Sequence, residues 1–573
     1  MPKVWNIGNT TIRNPNRLKD GLILFEREFN GKARGSLAEA AFSKRLKEEG
    51  IIETDGTTPD WFGRKWRSAF VKLGYIVNTF NIKLKKTLVG QSFAFNFGDY
   101  QITPAGYALI NASSQEEIND IFLRQLAFLE LNSPTEDKFP PGNMKPFIFL
   151  LQVLSKLKEK KENGLNKFEI AAFLQLFRDH TNSEVIKTVE EILVYRKDRE
   201  AIFAGNVARK AFDHKVLSNK ANKGGVAAST LIDYADTTIR YSKMSGLLSS
   251  QGGRIFFQAS KQPIIDALVA GPISFCSDDV IKYLKTFYTG ASLPIDNPAV
   301  ARKEIVNLTM LVSEAAQKKA KLPESLSEET DIKKLNKIRH QLNEAFLLEK
   351  EQDFANCQIE KDSLEEIHLY LDAIGMGKKV KLPDVYEPAT FFEWTVWRAF
   401  LAIDHIINPI SKTRFFPLDE DLRPRHHAPA GGPDMVFEFD DFILVVEVTL
   451  LTTSRQEACE GEPVRRHVAD FKMSSQKPVY GLFIAPSIDT NTADTFRKGD
   501  WYYKEDTKVR VDILPLTTSQ FKGILNLLPD TVVLPVILRS LITECLSYRD
   551  EFDAISWKKE INESLIVWLS KKN

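Results

Sequence analysis

Residues 433–449 read PDMVFEFDDFILVVEVT. A short apolar run, a double aspartate at 440–441 and a second apolar run rich in branched residues spell a β-hairpin. The first arm opens on Asp434, and the second carries Glu447, thirteen residues further on. Side chains alternate along a strand, so Phe442, Leu444, Val446 and Val448 share one face while Ile443, Val445, Glu447 and Thr449 share the other. Glu447 is thus a lone charge among branched apolar neighbours. Burying an ionised carboxylate there is costly without a cation or a paired donor. Two carboxylates on adjacent strands meet at one point, which suits a hard cation such as Mg²⁺. The pattern is Pro-Asp followed by Glu-x-Lys, except that Thr449 stands where the lysine would be. A threonine brings no positive charge and no general base near pH 7.

The neighbouring residues supply further candidates. Upstream, ATFFEWTVWRAFLAIDHII reads as an apolar helix with one carboxylate, Glu393, beside Trp397. The loop PLDEDLRPRHHAPAGG carries His426 and His427, read as structural or phosphate-facing. Downstream lie a helix (VRRHVADFKMSSQ), a strand (VYGLFIAP), another helix, a strand (VRVDILPL) and mostly helical residues over 519–571. Branched strands interleaved with helices predict a mixed α/β sheet buried on both faces. Glu460 and His467, seven apart in EACEGEPVRRH, are the groups on offer in place of the lysine. An imidazole titrates near neutrality and suits proton transfer or a hydrogen bond to phosphate. A solvated carboxylate and a structural histidine are the bland alternatives. Phosphodiester cleavage by a bound cation is the chemistry this set permits.

The rest of the chain is organised differently. At 573 residues it is too long for one core, and 43% hydrophobic with 27% charged residues is an ordinary globular composition. No apolar run approaches the ~18 residues of a membrane helix. The opening MPKVWNIGNTTIRN has no apolar signal region and reads as cytoplasmic. Cys276, Cys357, Cys459 and Cys545 form no CxxC pair, against a zinc knuckle or a disulfide framework. Residues 1–110 hold 17 Lys/Arg against 10 Asp/Glu, net +7, and the remainder is then net −6. A basic N-terminal part suits a grip on a polyanion.

Three stretches repeat a pattern of helices followed by a small hairpin, as in a winged helix. The first pairs SLAEAAFSKRLKEEG and TPDWFGRKWRSAFVKLGYIV with strands from NTFNIKLKKTLVG and SFAFNFGDYQI. Arg64, Lys65 and Arg67 lie on its second helix, and Lys83, Lys85 and Lys86 on its candidate wing. The second is helix–turn–helix in PFIFLLQVLSKLKEKKENGLNKFEIAAFLQLF. The third is a helix over 229–248 that runs into SSQGGRIFF. The intervening ARKAFDHKVLSNKANKGGVAAST, basic and rich in small residues, is predicted as a mobile loop. Residues 301–375 are charge-rich and helix-periodic with a break at Pro323, which predicts a helical connector, and GMGKKVKLPDVYEP marks a boundary near 380.

FFEWTVW, GGPDM, DFILVVEVT, EGEPVRRH and LFIAP, in this order over residues 391–486, resemble the cleavage domain of the type IIS restriction and nicking endonuclease family of AlwI, PleI, MlyI and BstNBI. ADTTIRYSKMSGLL and GLNKFEIA are similar to that family's recognition domain, and Glu-Val-Thr in place of Glu-x-Lys belongs to the family pattern. The resemblance implies a multidomain α+β protein. Residues 1–290 would be a winged-helix-type DNA-recognition region, 291–380 a helical linker, and 381–573 an α/β PD-(D/E)xK nuclease domain. It implies that Asp434, Glu447 and the main-chain carbonyl of Val448 bind Mg²⁺, with Glu393, Glu460 and His467 completing the site. It offers Asp236, Thr237, Arg240 and Lys243 as DNA-reading residues, with Asp236 accepting from a base amino group and Arg240 reaching guanine or phosphate. The partner is double-stranded DNA carrying a short asymmetric site of the GGATC or GAGTC kind.

The expected activity is cleavage a few base pairs outside that site. One active site cuts one strand, so double-strand cutting needs a transient homodimer through the cleavage domain or a smaller nuclease subunit, and a strict monomer nicks. Two alternatives stay open: a winged-helix DNA-binding protein with an inactive nuclease-like domain, and a nuclease acting on RNA or damaged DNA without sequence specificity.

Overall fold

The computed structural model describes residues 4–32, 35–52, 60–78, 100–135, 139–140, 142–203, 205–251, 253–276, 279–316, 326, 328–375, 388–403, 405–428, 431–502, 506–526 and 534–570. The candidate wing with Lys83, Lys85 and Lys86, the break at Pro323 and the boundary stretch 376–387 lie outside them. The chain is a mostly helical α+β protein with small sheets that divides into two compact units, Met1–Phe346 and Leu347–Asn573.

The first unit opens with α1 (Leu18–Phe29), α2 (Ser36–Glu48) and α3 (Trp61–Lys72), then β1 (Ile76–Asn78) paired antiparallel to β2 (Tyr100–Ile102). Next come α4 (Pro104–Asn111), α5 (Gln115–Phe128), α6 (Pro146–Glu159), β3 (Leu165–Asn166) and α7 (Lys167–Glu169), continued by a π turn over Ile170–Leu174. α8 (Asn182–Glu200), α9 (Asn206–Gly224) and α10 (Ala228–Lys243) lead into the hairpin β4 (Leu248–Gln251) and β5 (Arg254–Phe257). β3 adds to this hairpin, giving the order β3-β5-β4. α11 (Gln262–Ala270), α12 (Val280–Thr289), α13 (Pro298–Ala315) and α14 (Ile332–Asn356) follow, and the division between the units falls within α14. α10 buries Leu231, Ala235, Thr238 and Ser242, the spacing of one helical face.

One expectation fails here. Residues 206–224 are not a loop but the nineteen-residue α9. Alanine, lysine and leucine favour helix, and Leu217 and Ala221, four apart, give it a buried stripe. The run of small and basic residues masked that stripe.

The second unit is built on a four-stranded sheet of order β11-β8-β7-β6, using β6 (Met435–Glu438), β7 (Ile443–Val448), β8 (Val479–Ala485) and β11 (Ile513–Thr517). β6 and β7 are antiparallel with Met435 opposite Val446, whereas β7, β8 and β11 run parallel. Two separate cores cover its faces, as the strand alternation predicts. Met435, Phe437, Leu444, Val446, Leu482 and Ile484 pack with Phe392, Trp397 and Phe400 of α16 (Pro388–Leu401), which follows α15 (Lys361–Gly375). On the opposite face Val436, Ile443, Val445 and Phe483 pack with Val464 and Val468 of α17 (Arg455–Ser474) and Phe496 of α18 (Thr490–Lys498). Gly481 in β8 permits this. A Cβ there would lie 2.7 Å from Val468 and 2.8 Å from Ile513, so any larger residue would push α17 off the sheet.

Two element boundaries differ from expectation. α17 begins at Arg455 rather than Val464, carrying Pro463 inside it. Pro463 is the ninth of its twenty residues, so it removes an interior i→i−4 bond, and the packing of Val464 and Val468 against the sheet holds the helix on both sides of it. VRVDILPL also splits in two. β10 (Lys508–Arg510) pairs antiparallel with β9 (Asp500–Tyr502), and only Ile513–Thr517 joins the main sheet. Three helices complete the unit: α19 (Thr518–Leu525), α20 (Leu534–Ser547) and α21 (Ala554–Ser570).

Candidate active site

The β6–β7 register carries Asp434 to the position opposite Glu447, on the sheet face covered by α17. The two strands bond across this end. The Val448 amide donates to Asp434 Oδ2 at 2.8 Å, and the Asp434 amide approaches Glu447 Oε2 at 3.4 Å. Both carboxyl groups are thereby held side by side, with Glu447 only 8% exposed.

α17 brings the other two groups. Glu460 and His467 are two helical turns apart, so they lie on one face of the helix. His467 Nδ1 sits 2.5 Å from Glu447 Oε1. The Thr449 hydroxyl donates to Glu460, which also lies within electrostatic reach of Asp434 and Glu447. The residue in place of the lysine is therefore a buried hydroxyl that orients a carboxylate. Gln456, fully buried, fixes the start of α17. Its amide donates to the carbonyls of Leu451 and Ser487 at 2.6 and 2.9 Å and accepts from the Asp489 amide at 2.9 Å.

The electrostatics are those of crowded acids, with Arg466 pulling the other way at Glu447. Burial, then the neighbouring Glu447, pushes Asp434 well above the usual carboxylate range. Burial also pushes Glu447 up to about 8, with Glu460 adding to the rise, and it raises Glu460 as well. His467 is pushed down to about 4 by burial and by the nearby Arg466. Its neutral imidazole shares a hydrogen bond with Glu447 at Nδ1, and Nε2 is buried with no hydrogen-bond partner among the described residues.

Among the described residues no group of three or more His, Cys, Asp or Glu side chains is arranged to hold a metal ion. The paired oxygens of Asp434 and Glu447 nevertheless fit a hard divalent cation, which commonly takes one or two carboxylates and fills its shell with water. Two adjacent acids whose ionisation is opposed by burial, by Glu447 at Asp434 and by Glu460 at Glu447, are a donor set that such a cation would relieve.

Glu393 lies on α16, which packs on the opposite face of the sheet. It accepts from the Ala428 amide at 2.9 Å, tying the helix to the loop that leads into Asp434. In that loop His426 Nδ1 lies 2.8 Å from the His427 carbonyl.

The DNA-reading candidates are in the first unit. On α3, Arg64 is exposed and Lys65 half-buried, while Arg67 pairs with Glu39 and lies 4.1 Å over the Tyr100 ring. On α10, Thr237 is fully buried and donates to the Asp233 carbonyl at 2.8 Å. Asp236 and Arg240 are buried and joined by an ion pair at 3.0 Å, and Lys243 is half-buried. Sequence reasoning missed Gln456 and the Thr449–Glu460 pair. A polar residue at 449, on the same strand face as Glu447, was the available signal for the second, and Gln456 carried none.

The sequence pattern described as AlwI restriction endonuclease matches residues 71–524, a span that includes all five candidate residues. The chain belongs to the AlwI restriction endonuclease family. It is accordingly a restriction endonuclease, a deoxyribonuclease by family. No curated protein matches it significantly. Among solved structures, it is similar to the small subunit (R.BspD6I2) of the heterodimeric restriction endonuclease R.BspD6I at 21% identity, over 36% of this chain and 98% of that one, with a TM-score of 0.28. It is also similar to the BpuJ1 endonuclease binding domain, solved with pyrene- and phenanthrene-modified DNA, at 12% identity, over 44% of this chain and 84% of that one, with a TM-score of 0.27. None of the described helices is long and apolar enough to cross a membrane.

Proposed function

We propose that this AlwI-family protein is a type IIS endonuclease. It would bind a short asymmetric duplex site and hydrolyse a phosphodiester bond a few base pairs outside it, with Mg²⁺ as cofactor. The observation that carries this reading is the facing pair of half-buried Asp434 and buried Glu447, with His467 bonded to the second. In this reading Asp434, Glu447 and the Val448 carbonyl hold the ion, which when bound supplies an activated water and charge stabilisation at phosphorus. His467 would orient the Glu447 carboxylate by donating from Nδ1, which leaves Nε2 as an acceptor for a water proton. Glu460, held by Thr449, accepts the proton of the attacking water, and burial raises its affinity toward the range a general base needs. Glu393 positions the loop before Asp434 through Ala428.

The division of labour is part of the same proposal. Residues 1–290 form a recognition region of winged-helix type. Its support is the order α6, β3, α7, α10 and then the hairpin β4–β5, with β3 joining the hairpin sheet. Arg64, Lys65 and Arg67, with Asp236, Thr237, Arg240 and Lys243, belong to or underlie its DNA-facing surface. Residues 291–380 serve as a helical linker and 381–573 as a PD-(D/E)xK nuclease, acting in the cytoplasm.

Digestion of a plasmid with Mg²⁺, followed by sequencing of the ends, tests the reading. Cuts at a fixed offset from one short motif support it; random cuts or an intact plasmid sink it. Strand-specific nicking is the second reading, favoured because Asp434 and Glu447 make one facing pair in one nuclease unit, which would cut one strand. Double-strand cutting then needs a second nuclease domain from another copy or a smaller subunit, and cleavage that rises more steeply than linearly with protein concentration identifies the former.

A further inference from the structure

The segment before α1 crosses α10, the helix whose residues the sequence singles out for reading DNA. Val4 bridges to Leu176, the Trp5 amide donates to the Gln175 carbonyl at 3.0 Å, and Lys72 Nζ donates to Asn6 Oδ1 at 3.1 Å. Gly8 rests on Tyr241. A Cβ there would fall 2.3 Å from the ring, so the close approach requires glycine.

Beyond that point Arg240 holds the segment. Its Nε donates to Asp236 Oδ2 at 3.0 Å, Nη1 to the carbonyls of Ile12 and Arg13 at 2.5 and 2.7 Å, and Nη2 to the Thr237 hydroxyl at 3.3 Å. All three nitrogens are committed within the protein, so Arg240 fixes the backbone at 12–13 rather than reaching outward.

What this geometry presents to solvent is Arg13, with a side chain 61% exposed and Nη1 3.9 Å from Asp236 Oδ2. Lys167, at the start of α7 and 46% exposed, reaches Asp236 Oδ1 at 3.4 Å. One carboxylate therefore serves three cations, Arg13, Lys167 and Arg240, an excess of two positive charges among these four groups. Exposed ion pairs at such distances contribute little to stability. Two adjacent cations with spare N–H donors are instead matched to the oxygens of a phosphodiester.

Resting on the endonuclease reading above, we infer that Arg13 and Lys167 form a contact to a DNA phosphate, held together by Asp236, with Arg240 as the positioning residue that docks the segment. This contact belongs to positioning and not to base reading, because backbone contacts carry no sequence information.

The test is fluorescence anisotropy of the full chain with a labelled 30-base-pair mixed-sequence duplex in Ca²⁺, over a series of salt concentrations. Releasing counterions from one phosphate contact contributes about one to the slope of log affinity against log salt. Arg13→Gln and Lys167→Gln are each expected to lower that slope by about one, with an unchanged melting temperature. Arg240→Met is expected to lower it likewise, and adding Arg13→Gln to Arg240→Met should then lower it no further, which a merely structural role for Arg240 would not produce. Unchanged slopes for Arg13→Gln and Lys167→Gln, with wild-type binding and cleavage intact, overturn this inference alone. A wild-type chain that binds no duplex overturns the endonuclease reading and this inference with it.

Discussion

His467 Nδ1 and Glu447 Oε1 are 2.5 Å apart, so an imidazole on α17 and a carboxylate on β7 share one hydrogen bond beneath the sheet surface. The contact exists because Gly481 lets α17 lie close against the strands. His467→Ala removes both the orienting hydrogen bond and the buried Nε2. We expect cleavage to fall by about 10²–10³-fold, the range for a positioned acid–base group, with duplex affinity within about twofold of wild type. Gel shift and single-turnover cleavage on one plasmid fragment measure the two effects separately, and a matching loss of both would place His467 in DNA binding instead.

Asp434 faces Glu447, so Asp434→Asn has opposite effects on activity and stability. Cleavage is expected to drop by at least about 10³-fold through loss of a metal-holding oxygen. The metal-free protein should melt higher, because a neutral amide replaces a carboxylate whose ionisation burial and the neighbouring Glu447 oppose. About 1 kcal/mol of relief corresponds to roughly 2–4 °C in a unit of this size. Calorimetry in EDTA checks it, and a lower melting temperature would contradict the assignment of unpaired charge.

The pH dependence follows from the same pair. Glu447 is raised from 4.5 to about 8 in the folded protein. A raised group contributes stability that is fully present below its unfolded value and is lost as pH rises through the folded one. The metal-free protein should therefore weaken between about pH 4.5 and pH 8. A divalent cation competes with the proton for these oxygens, so its stabilising shift should be larger at pH 8.5 than at pH 6. Melting curves with and without Ca²⁺ at the two values decide this, and equal shifts would remove Glu447 from the cation site.

Much of this site was legible in seventeen residues because strand geometry is strict. Alternation alone put Glu447 with Val445 and Ile443 on one face, and those residues do line the core that meets α17. The Asp440-Asp441 turn fixed the register that sets Asp434 opposite Glu447. Helix extent was harder. Pro463 looks like a terminator, yet packing holds the turns before it in α17, and that decides that Glu460 and His467 share a face. α9 was hidden because its buried stripe is only Leu217 and Ala221 and the terminal glycine, among lysines and small residues. Arg240 shows a further limit. Charge and position suggest an outward-reaching residue, and only tertiary contacts show its guanidinium turned toward the Ile12 and Arg13 carbonyls.

In the first unit a buried charge cluster joins four elements. Lys261 donates to Glu116 at 2.7 Å and lies 3.6 Å from Glu304, while Arg339 of α14 pairs with Asp120 and lies 3.5 Å from Glu304. Lys261, Glu304 and Arg339 are each less than 5% exposed. Removing one partner leaves an uncompensated buried charge, which costs about 3–5 kcal/mol. Lys261→Met should lower the urea midpoint of the first unit accordingly and leave the chemistry at Asp434 untouched in single-turnover cleavage of bound DNA. A change below about 1 kcal/mol would mean that Arg339 alone neutralises the cluster.

Thr449 gives the sharpest test of how this site works without a lysine. Its hydroxyl donates to Glu460, and it is only 7% exposed on the face shared with Glu447. Thr449→Ser keeps the hydroxyl and should retain cleavage within a few-fold. Thr449→Val keeps the shape but frees Glu460, and should slow the chemical step by about 10–100-fold, the usual cost of losing an outer hydrogen bond at a metal site. Thr449→Lys restores the more familiar residue type, yet it should not rescue activity. The longer chain has to enter a packed surface beneath α17, and overpacking there costs about 1–3 kcal/mol. Its ammonium would also pair with Glu460, the carboxylate assigned to accept the water proton. Single-turnover rates for the three variants, with melting temperatures to separate folding from chemistry, measure these effects. A Thr449→Lys enzyme as fast as wild type would show that Glu460 is dispensable and that the threonine merely occupies the place of a lysine.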